Sequence, residues 1–414
     1  MAAPWAHRYA QRTKSVKSSI IRELLKLTQR PEVISFAGGL PAPEVFPVAR
    51  FQEACQRVLA TQATTALQYG PTEGYRPLRE LIVAQMGRYG IVATVDNILI
   101  TSGSQQALDL IAKLLINRGD RILVESPTYL GALQAFDLMG AEYVTVPVDD
   151  DGLQTCNMEQ ALRSGPKFMY ILPNFQNPGG VTLSRKRRDE LVELSDRYGI
   201  PIIEDDPYGQ LRYEGEHISP LVVLDRTNLL RDNGYKLGNV IYLSTFSKVL
   251  APGLRVAWIV APPDVIAKLV QIKQSTDLHT STFTQMVVYE AARDGFIDEH
   301  VKLIRATYKV RRDAMLSALN DFFPPEVSWT HPHGGLFLWV TMPPGVDSSR
   351  LLELALRQNV AFVPGEPFYP NGDTGSHMRL NFSNAAPEQI REGIRRLSIA
   401  VAHELEHRTA AVLV

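Results

Sequence analysis

The chain has 414 residues, 45% of them hydrophobic and 21% charged, which suits two globular domains or one large domain with a smaller satellite and excludes a disordered or fibrous protein. A formal net charge of −1 supplies no global field toward nucleic acid or anionic lipid, so neither is an expected partner. Two cysteines, Cys55 and Cys156, exclude a disulfide framework, and no window approaches the roughly 20 apolar residues of a membrane span.

From the N-terminus, Trp5, His7, Arg8, Arg12 and Lys14 form no apolar run of the kind a signal peptide needs, and a cytoplasmic protein is expected. Ile20, Ile21, Leu24 and Leu25 predict a helix over 18–26, with Arg22 projecting away from its apolar stripe. The glycines and prolines of Ser35–Pro43 exclude a long regular element. From about 95 to about 325, β-rich runs alternate with helical patterns. The predicted strands are Ile98–Thr101, Arg121–Glu125, Glu142–Val146, Phe168–Leu172, Pro201–Asp205, Val240–Ser244 and Arg255–Val260. Several are nearly continuous apolar runs, as a sheet covered on both faces requires. Helices are predicted over Ser104–Leu115 and Ser184–Tyr198. The basic run Arg185–Arg188 is followed at once by Asp189, Glu190 and Glu193, and reads as the solvated face of the second helix. After about 325 the pattern becomes a strand at Gly335–Val340, a helix near Ser349–Gln358, a strand at Met378–Phe382 and a last helix from Pro387, which predicts a smaller α+β unit.

Five segments carry candidate chemistry. Ser244–Arg255 places hydroxyl residues, then Lys248, then Arg255 after a strand. A Schiff-base lysine must shed its proton, and a nearby arginine favours that while also clamping a phosphate, although the segment alone also suits a surface loop. Ser102-Gly103-Ser104-Gln105 leads into a helix whose first N–H groups can hold an anion, or is only a packing turn. Glu204-Asp205-Asp206 ends a predicted strand, where ligands bind in open α/β sheets. Asn177 lies in a turn directly after another strand, and Arg379 inside a β-like run suits bidentate recognition of a carboxylate.

Taken in this order, together with Leu67–Tyr75, Glu204–Tyr208 and Val363-Pro364-Gly365, these stretches resemble the fold-type I pyridoxal-phosphate aminotransferases of class I/II, in the branch of the 2-aminoadipate and kynurenine/2-aminoadipate enzymes. The resemblance implies an α/β large domain over 61–325, built on a mostly parallel seven-stranded sheet covered by helices. A smaller α+β domain would be built from an N-terminal helix and arm (1–60) and a C-terminal part (326–414). It implies pyridoxal 5'-phosphate as cofactor and no metal. Lys248 would carry the cofactor and move protons, Asp205 would pair with the pyridine nitrogen, and Tyr208 and Asn177 would bond the ring oxygen. Tyr129 would stack on the ring, and Ser104, Gln105, Thr245, Ser247 and Arg255 would hold the phosphate. Tyr69 would reach the partner subunit's phosphate, which implies a homodimer with shared active sites. Arg379, Asn177 and Gly39 would hold the substrate α-carboxylate, with Arg22 and Ser19 facing its side chain. The chain departs from the family at Asn177-Pro178-Gly179-Gly180, where a threonine commonly follows the proline. The expected reaction is a ping-pong exchange between an L-amino acid (2-aminoadipate, aromatic, glutamate or branched-chain) and a 2-oxo acid such as 2-oxoglutarate. Fold and cofactor alone leave a C–S β-lyase or a decarboxylase as the alternative. A transcription regulator's effector domain is set aside because family motifs begin by about residue 18, with no basic helix-turn-helix before them.

Overall fold

The computed structural model describes residues 4–14, 30, 32–225, 238–372 and 376–412. In chain order its strands are β1 (Ile34–Ser35), β2 (Ile98–Thr101), β3 (Arg121–Ser126), β4 (Glu142–Asp149), β5 (Gly152–Leu153), β6 (Met169–Ile171), β7 (Ile202–Asp205), β8 (Val240–Thr245) and β9 (Ala257–Val260). These are followed by β10 (Ser328–Trp329), β11 (Phe337–Thr341), β12 (Val360–Ala361), β13 (Val363–Pro364) and β14 (His377–Asn381). The helices used below are α1 (Val48–Ala66), α2 (Arg76–Gly87), α3 (Ser104–Leu115), α4 (Leu130–Met139), α5 (Met158–Arg163) and α6 (Arg185–Tyr198). They continue with α7 (Leu221–Leu224), α8 (Pro263–Gln274), α9 (Thr282–Ala292), α10 (Phe296–Phe322), α11 (Ser348–Arg357) and α12 (Pro387–Val412).

The large sheet has the order β2-β9-β8-β7-β6-β3-β4-β5. All seven predicted strands are in it; the eighth, β5, is a two-residue antiparallel addition to β4 that is too short to leave a periodic signal. β2, β6, β7, β8 and β9 are buried along their whole length, because helices cover both faces. The helices start and stop on local chemistry. α6 ends at Gly199 in the left-handed conformation, and Asp347 caps α11 by accepting from the N–H of Ser349 at 2.8 Å. The smaller antiparallel sheet has the order β10-β11-β14-β13. β1 pairs in parallel with β12, which joins an N-terminal segment to the C-terminal part. The α1 residues Ala54, Val58 and Ala66 pack against Met286, Val287 and Ala291 of α9.

Strand direction decides what shares an edge. β3, β6, β7 and β8 are parallel, so the chain leaves each at the same end of the sheet. β9 runs antiparallel to both β8 and β2. The carboxyl end of β2 therefore lies at that edge too, and so does the residue run entering β9.

The basic run needs a correction. Arg185 and Lys186 are exposed and face Asp189 and Glu190, as a solvated face requires. Arg188 is fully buried instead. Its guanidinium donates to the carbonyls of Leu183 (2.9 Å), Pro173 (2.9 Å) and Ser219 (3.1 Å) and to Asn174 Oδ1 (2.7 Å). It ties together loops whose own carbonyls would otherwise be buried without a donor. Arg188→Met strands those acceptors at about 1–3 kcal/mol each, so a marked fall in thermal midpoint is expected, whereas Lys186→Ala stays within about 0.5 kcal/mol of the parent in a thermal-unfolding comparison.

Candidate active site

The sheet edge opens into a cavity of about 1250 Å³. Lining it are Ser104 and Gln105 after β2, Tyr129 after β3, Asn177 after β6, Asp205 at the end of β7 with Tyr208 beyond it, and Thr245 at the end of β8 with Ser247 and Lys248 beyond it. Arg255, just before β9, Arg379 from β14 and Gly39 complete the group. Every described candidate except Tyr69 is among them. Tyr69 is 79% exposed, with its ring edge against His279, and does not line the cavity of its own chain. Ser19 and Arg22 lie outside the described residues.

Lys248 Nζ donates to the Gly39 carbonyl at 3.0 Å. Burial, aided by the charges of Arg379 and Arg255, lowers its pKa to about 8, so a substantial share of the amine is neutral near physiological pH. Asp205 is almost fully buried; its Oδ2 accepts from Tyr170 Oη at 2.7 Å and its Oδ1 has no partner among the described residues. Burial, opposed by the Tyr170 bond and reinforced by Asp206, pushes this carboxyl up to about 7. A buried carboxylate oxygen without a donor fits a cationic ring N–H. Tyr170 itself was not legible: a tyrosine on a central strand reads as core.

Arg379 is 1% exposed and extensively braced. Its Nη1 donates to Asn177 Oδ1 (2.8 Å), its Nη2 to the Ala37 carbonyl (2.7 Å), and its guanidinium lies 4.2 Å from the centre of the Phe337 ring. The Nε has no partner among the described residues. Asn177 and Tyr208 line the cavity beside Arg379, and the Asn177 amide tempers the rise that burial imposes on the Tyr208 hydroxyl.

At the other end of the cavity, Gly103 has φ +86°, and a Cβ there would lie 2.1 Å from Arg255 Nη2. Only glycine lets that guanidinium cross the turn. Arg255 Nη2 bonds the Ser102 carbonyl at 3.4 Å. Ser104 Oγ is buried without a partner among the described residues, and the N–H groups of Ser104 and Gln105 open α3, where a helix has no internal acceptor for them. The Gln105 side-chain amide is committed to the Gly131 carbonyl at 2.7 Å, so this residue offers an anion its backbone instead. Glu125, at the end of β3, accepts from the Leu172 N–H at 3.0 Å, and burial pushes it up to about 8; it is a second buried acid that sequence reasoning missed. An anion cradle, a partly neutral lysine and an orphaned carboxylate oxygen in one cavity fit pyridoxal phosphate.

The comparisons with known proteins agree. The model of the family "Aminotransferase class I and II" matches residues 32–397. Aromatic-amino-acid aminotransferase 1 of Thermococcus litoralis is 47% identical over 405 residues, covering 96% of this chain and 95% of that protein. The 2-aminoadipate transaminase of Thermus thermophilus is 44% identical over 398 residues, covering 96% and 97%. Among solved structures, LysN, the alpha-aminoadipate aminotransferase of Thermus thermophilus complexed with N-(5'-phosphopyridoxyl)-L-leucine, matches with TM-score 0.90 at 41% identity over 98% of this chain and 100% of that one. With a family match that spans most of its length and a cavity that fits the cofactor, this chain belongs to the class I and II aminotransferases, which work with pyridoxal phosphate.

Proposed function

We propose that this aminotransferase takes an apolar, aromatic or 2-aminoadipate side chain on its L-amino-acid donor and returns the amino group to a 2-oxo acid such as 2-oxoglutarate. The observation that carries the reading is the convergence of Lys248, Asp205 and Arg379 on one cavity. Pyridoxal phosphate, when bound, supplies the carbonyl that exchanges for the amino group and a ring that takes up the electron pair left at Cα. Arg379, fixed by Asn177 and Ala37, holds the substrate carboxylate, with Gly39 beside it. Lys248 removes the Cα proton and would deliver it to the carbon on the far side of the amino nitrogen, which its lowered pKa permits near neutrality. Asp205, held by Tyr170, would hold the ring nitrogen, Tyr208 and Asn177 the ring oxygen, and Tyr129 the ring face. Ser104, Gln105, Thr245, Ser247 and Arg255 hold the phosphate.

Beyond these residues the cavity wall carries Leu40, Leu130, Leu133, Leu138, Pro367 and Tyr369, with the carboxylates of Asp137 and Glu366 among them. The cations among the described lining residues are Lys248, Arg255 and Arg379, each already assigned. An apolar or aromatic side chain therefore fits the described wall directly. An acidic one calls for a further cation, and Arg22 is our candidate. The exposed Leu67, Tyr69 and Leu278 suit burial against a second copy, and Tyr69 would then enter the partner's phosphate site. Among the described residues no helix is long and apolar enough to cross a membrane. A cytoplasmic homodimer is the assembly we propose.

Four outcomes are expected. The absorption band of the purified, cofactor-loaded protein bleaches on addition of an aromatic L-amino acid or L-2-aminoadipate and returns with 2-oxoglutarate; a band indifferent to both, with pyruvate released from cystathionine, would favour the lyase. In apo-protein, covalent attachment of added pyridoxal phosphate to Lys248 accelerates with rising pH around a midpoint near 8. Arg379→Gln removes a repelling charge and moves that midpoint up, as read by stopped-flow absorbance. Finally, Arg22→Ala lowers kcat/KM for 2-aminoadipate relative to leucine; an unchanged ratio removes Arg22 from the specificity argument.

A further inference from the structure

Behind the phosphate-facing turn lies a cluster that the reaction does not use. Lys273, near the end of α8, has a fully buried side chain, and its Nζ donates to Asp277 Oδ1 at 2.7 Å and to Gln106 Oε1 at 3.0 Å. Asp277 Oδ2 accepts from Gln106 Nε2 at 2.7 Å and from Ser102 Oγ at 3.2 Å. Gln106 Oε1 accepts in addition from the Ser102 N–H at 2.7 Å. Both the N–H and the hydroxyl of Ser102 are thus drawn into one closed ring of hydrogen bonds. Its carbonyl is left facing the other way, to Arg255 Nη2. None of Ser102, Gln106, Lys273 and Asp277 lines the cavity.

Burial alone would raise the Asp277 carboxyl, yet the bonds from Lys273, Gln106 and Ser102 hold it below its ordinary value, so it is an anion near neutrality. A buried ammonium paired with that carboxylate is close to neutral as a unit, so it adds little field at the phosphate. What it adds is geometry. The residue after Ser102 is Gly103, which allows the Arg255 guanidinium across the turn, and the residue after that is Ser104 with its unpaired buried hydroxyl. A turn that could rotate at Ser102 would lose the Arg255 contact and misdirect the first N–H groups of α3 together. Ordering such a loop on binding costs affinity, and a loop ordered in advance avoids that cost.

We infer that Asp277, with Lys273 and Gln106, is a positioning group for the cofactor phosphate: it fixes Ser102 from behind so that Arg255, Ser104 and the N-terminus of α3 are aligned before the phosphate arrives. The inference rests on the phosphate end of the cavity proposed above.

The test uses full-length apo-protein and three probes: pyridoxal phosphate, inorganic phosphate, and pyridoxal, which lacks the phosphate. Asp277→Asn and Ser102→Ala are expected to weaken binding of the first two by about tenfold and to leave pyridoxal unaffected, with kcat at saturating cofactor within about twofold of the parent. Lys273→Arg restores affinity relative to Lys273→Met. If the Lys273 or Asp277 variants fail to fold, Ser102→Ala, which leaves the Lys273–Asp277 pair intact, carries the test alone. A fall in apo-protein thermal midpoint with unchanged phosphate affinity would reduce the cluster to a tie between α8 and α3 and overturn the inference. So would an equal loss for pyridoxal. Failure of the parent itself to bind inorganic phosphate would instead count against the phosphate assignment on which the inference rests.

Discussion

Between Thr245 and Arg255 the chain passes the same sheet edge twice, because β8 arrives parallel to β7 and β9 leaves antiparallel to β8. That reversal leaves Lys248 and Arg255 at one end of the sheet, facing the loops that follow β2, β3, β6 and β7. Parallel strands must return through helices, and the helices cover both faces of the sheet. Polar groups can then collect only at the edge where the strands stop. Asp205, Asn177 and Tyr208 are there for the same reason. Arg379 and the Phe337 ring against it arrive from the smaller sheet, through β14 and β11, so the cavity exists only while the two sheets hold their positions.

The loops at that edge are braced from below by buried polar groups. Arg188 grips the carbonyl of Pro173 and the side chain of Asn174, whose Nδ2 donates to Asp206 Oδ1 at 3.0 Å. Asp206 also accepts from the Gly209 N–H at 2.8 Å. The turn carrying Asn177 and the turn carrying Tyr208 are thereby fastened to each other at a point that substrate does not reach. The Lys273–Asp277 pair stands in the same relation to the phosphate turn. A charge with several well-placed donors or acceptors around it tolerates burial, and in return it fixes every loop it touches.

Much of this was legible in the sequence, for reasons that also explain what was not. Strands buried on both faces leave apolar runs, and the seven long strands stood at their predicted places. The candidate motif residues sit at strand ends, in short loops or inside a strand where chemistry restricts the residue type, so Lys248, Asp205, Arg255 and Arg379 could be singled out from order and spacing, and all four line one cavity. Arg188 could not, because its acceptors at Pro173, Leu183 and Ser219 come from separate loops and a helix arginine beside acidic residues reads as solvated. Lys273 hides in the same way. Tyr170 reads as core because it is core; only its hydroxyl, placed by the pairing of β6 with β7, meets Asp205. Gln105 matched its motif, yet its side chain turned to Gly131, a contact that depends on where α4 begins.

The distribution of charge then separates the two anions that the reaction must treat differently. Lys248, Arg255 and Arg379 face the cavity together with the carboxylates of Asp137, Asp205 and Glu366 among its described lining residues. In the proposed reading the phosphate would meet a guanidinium, hydroxyls and the open N-terminus of α3 on a turn anchored from behind. The substrate carboxylate would rely on one guanidinium whose other bonds already go to Asn177 and Ala37. A dianion with many donors dissociates slowly, and a monoanion held chiefly by one arginine can leave at each turnover. The proposed ping-pong exchange would use that asymmetry, the cofactor staying in place while amino acid and oxo acid alternate at Arg379.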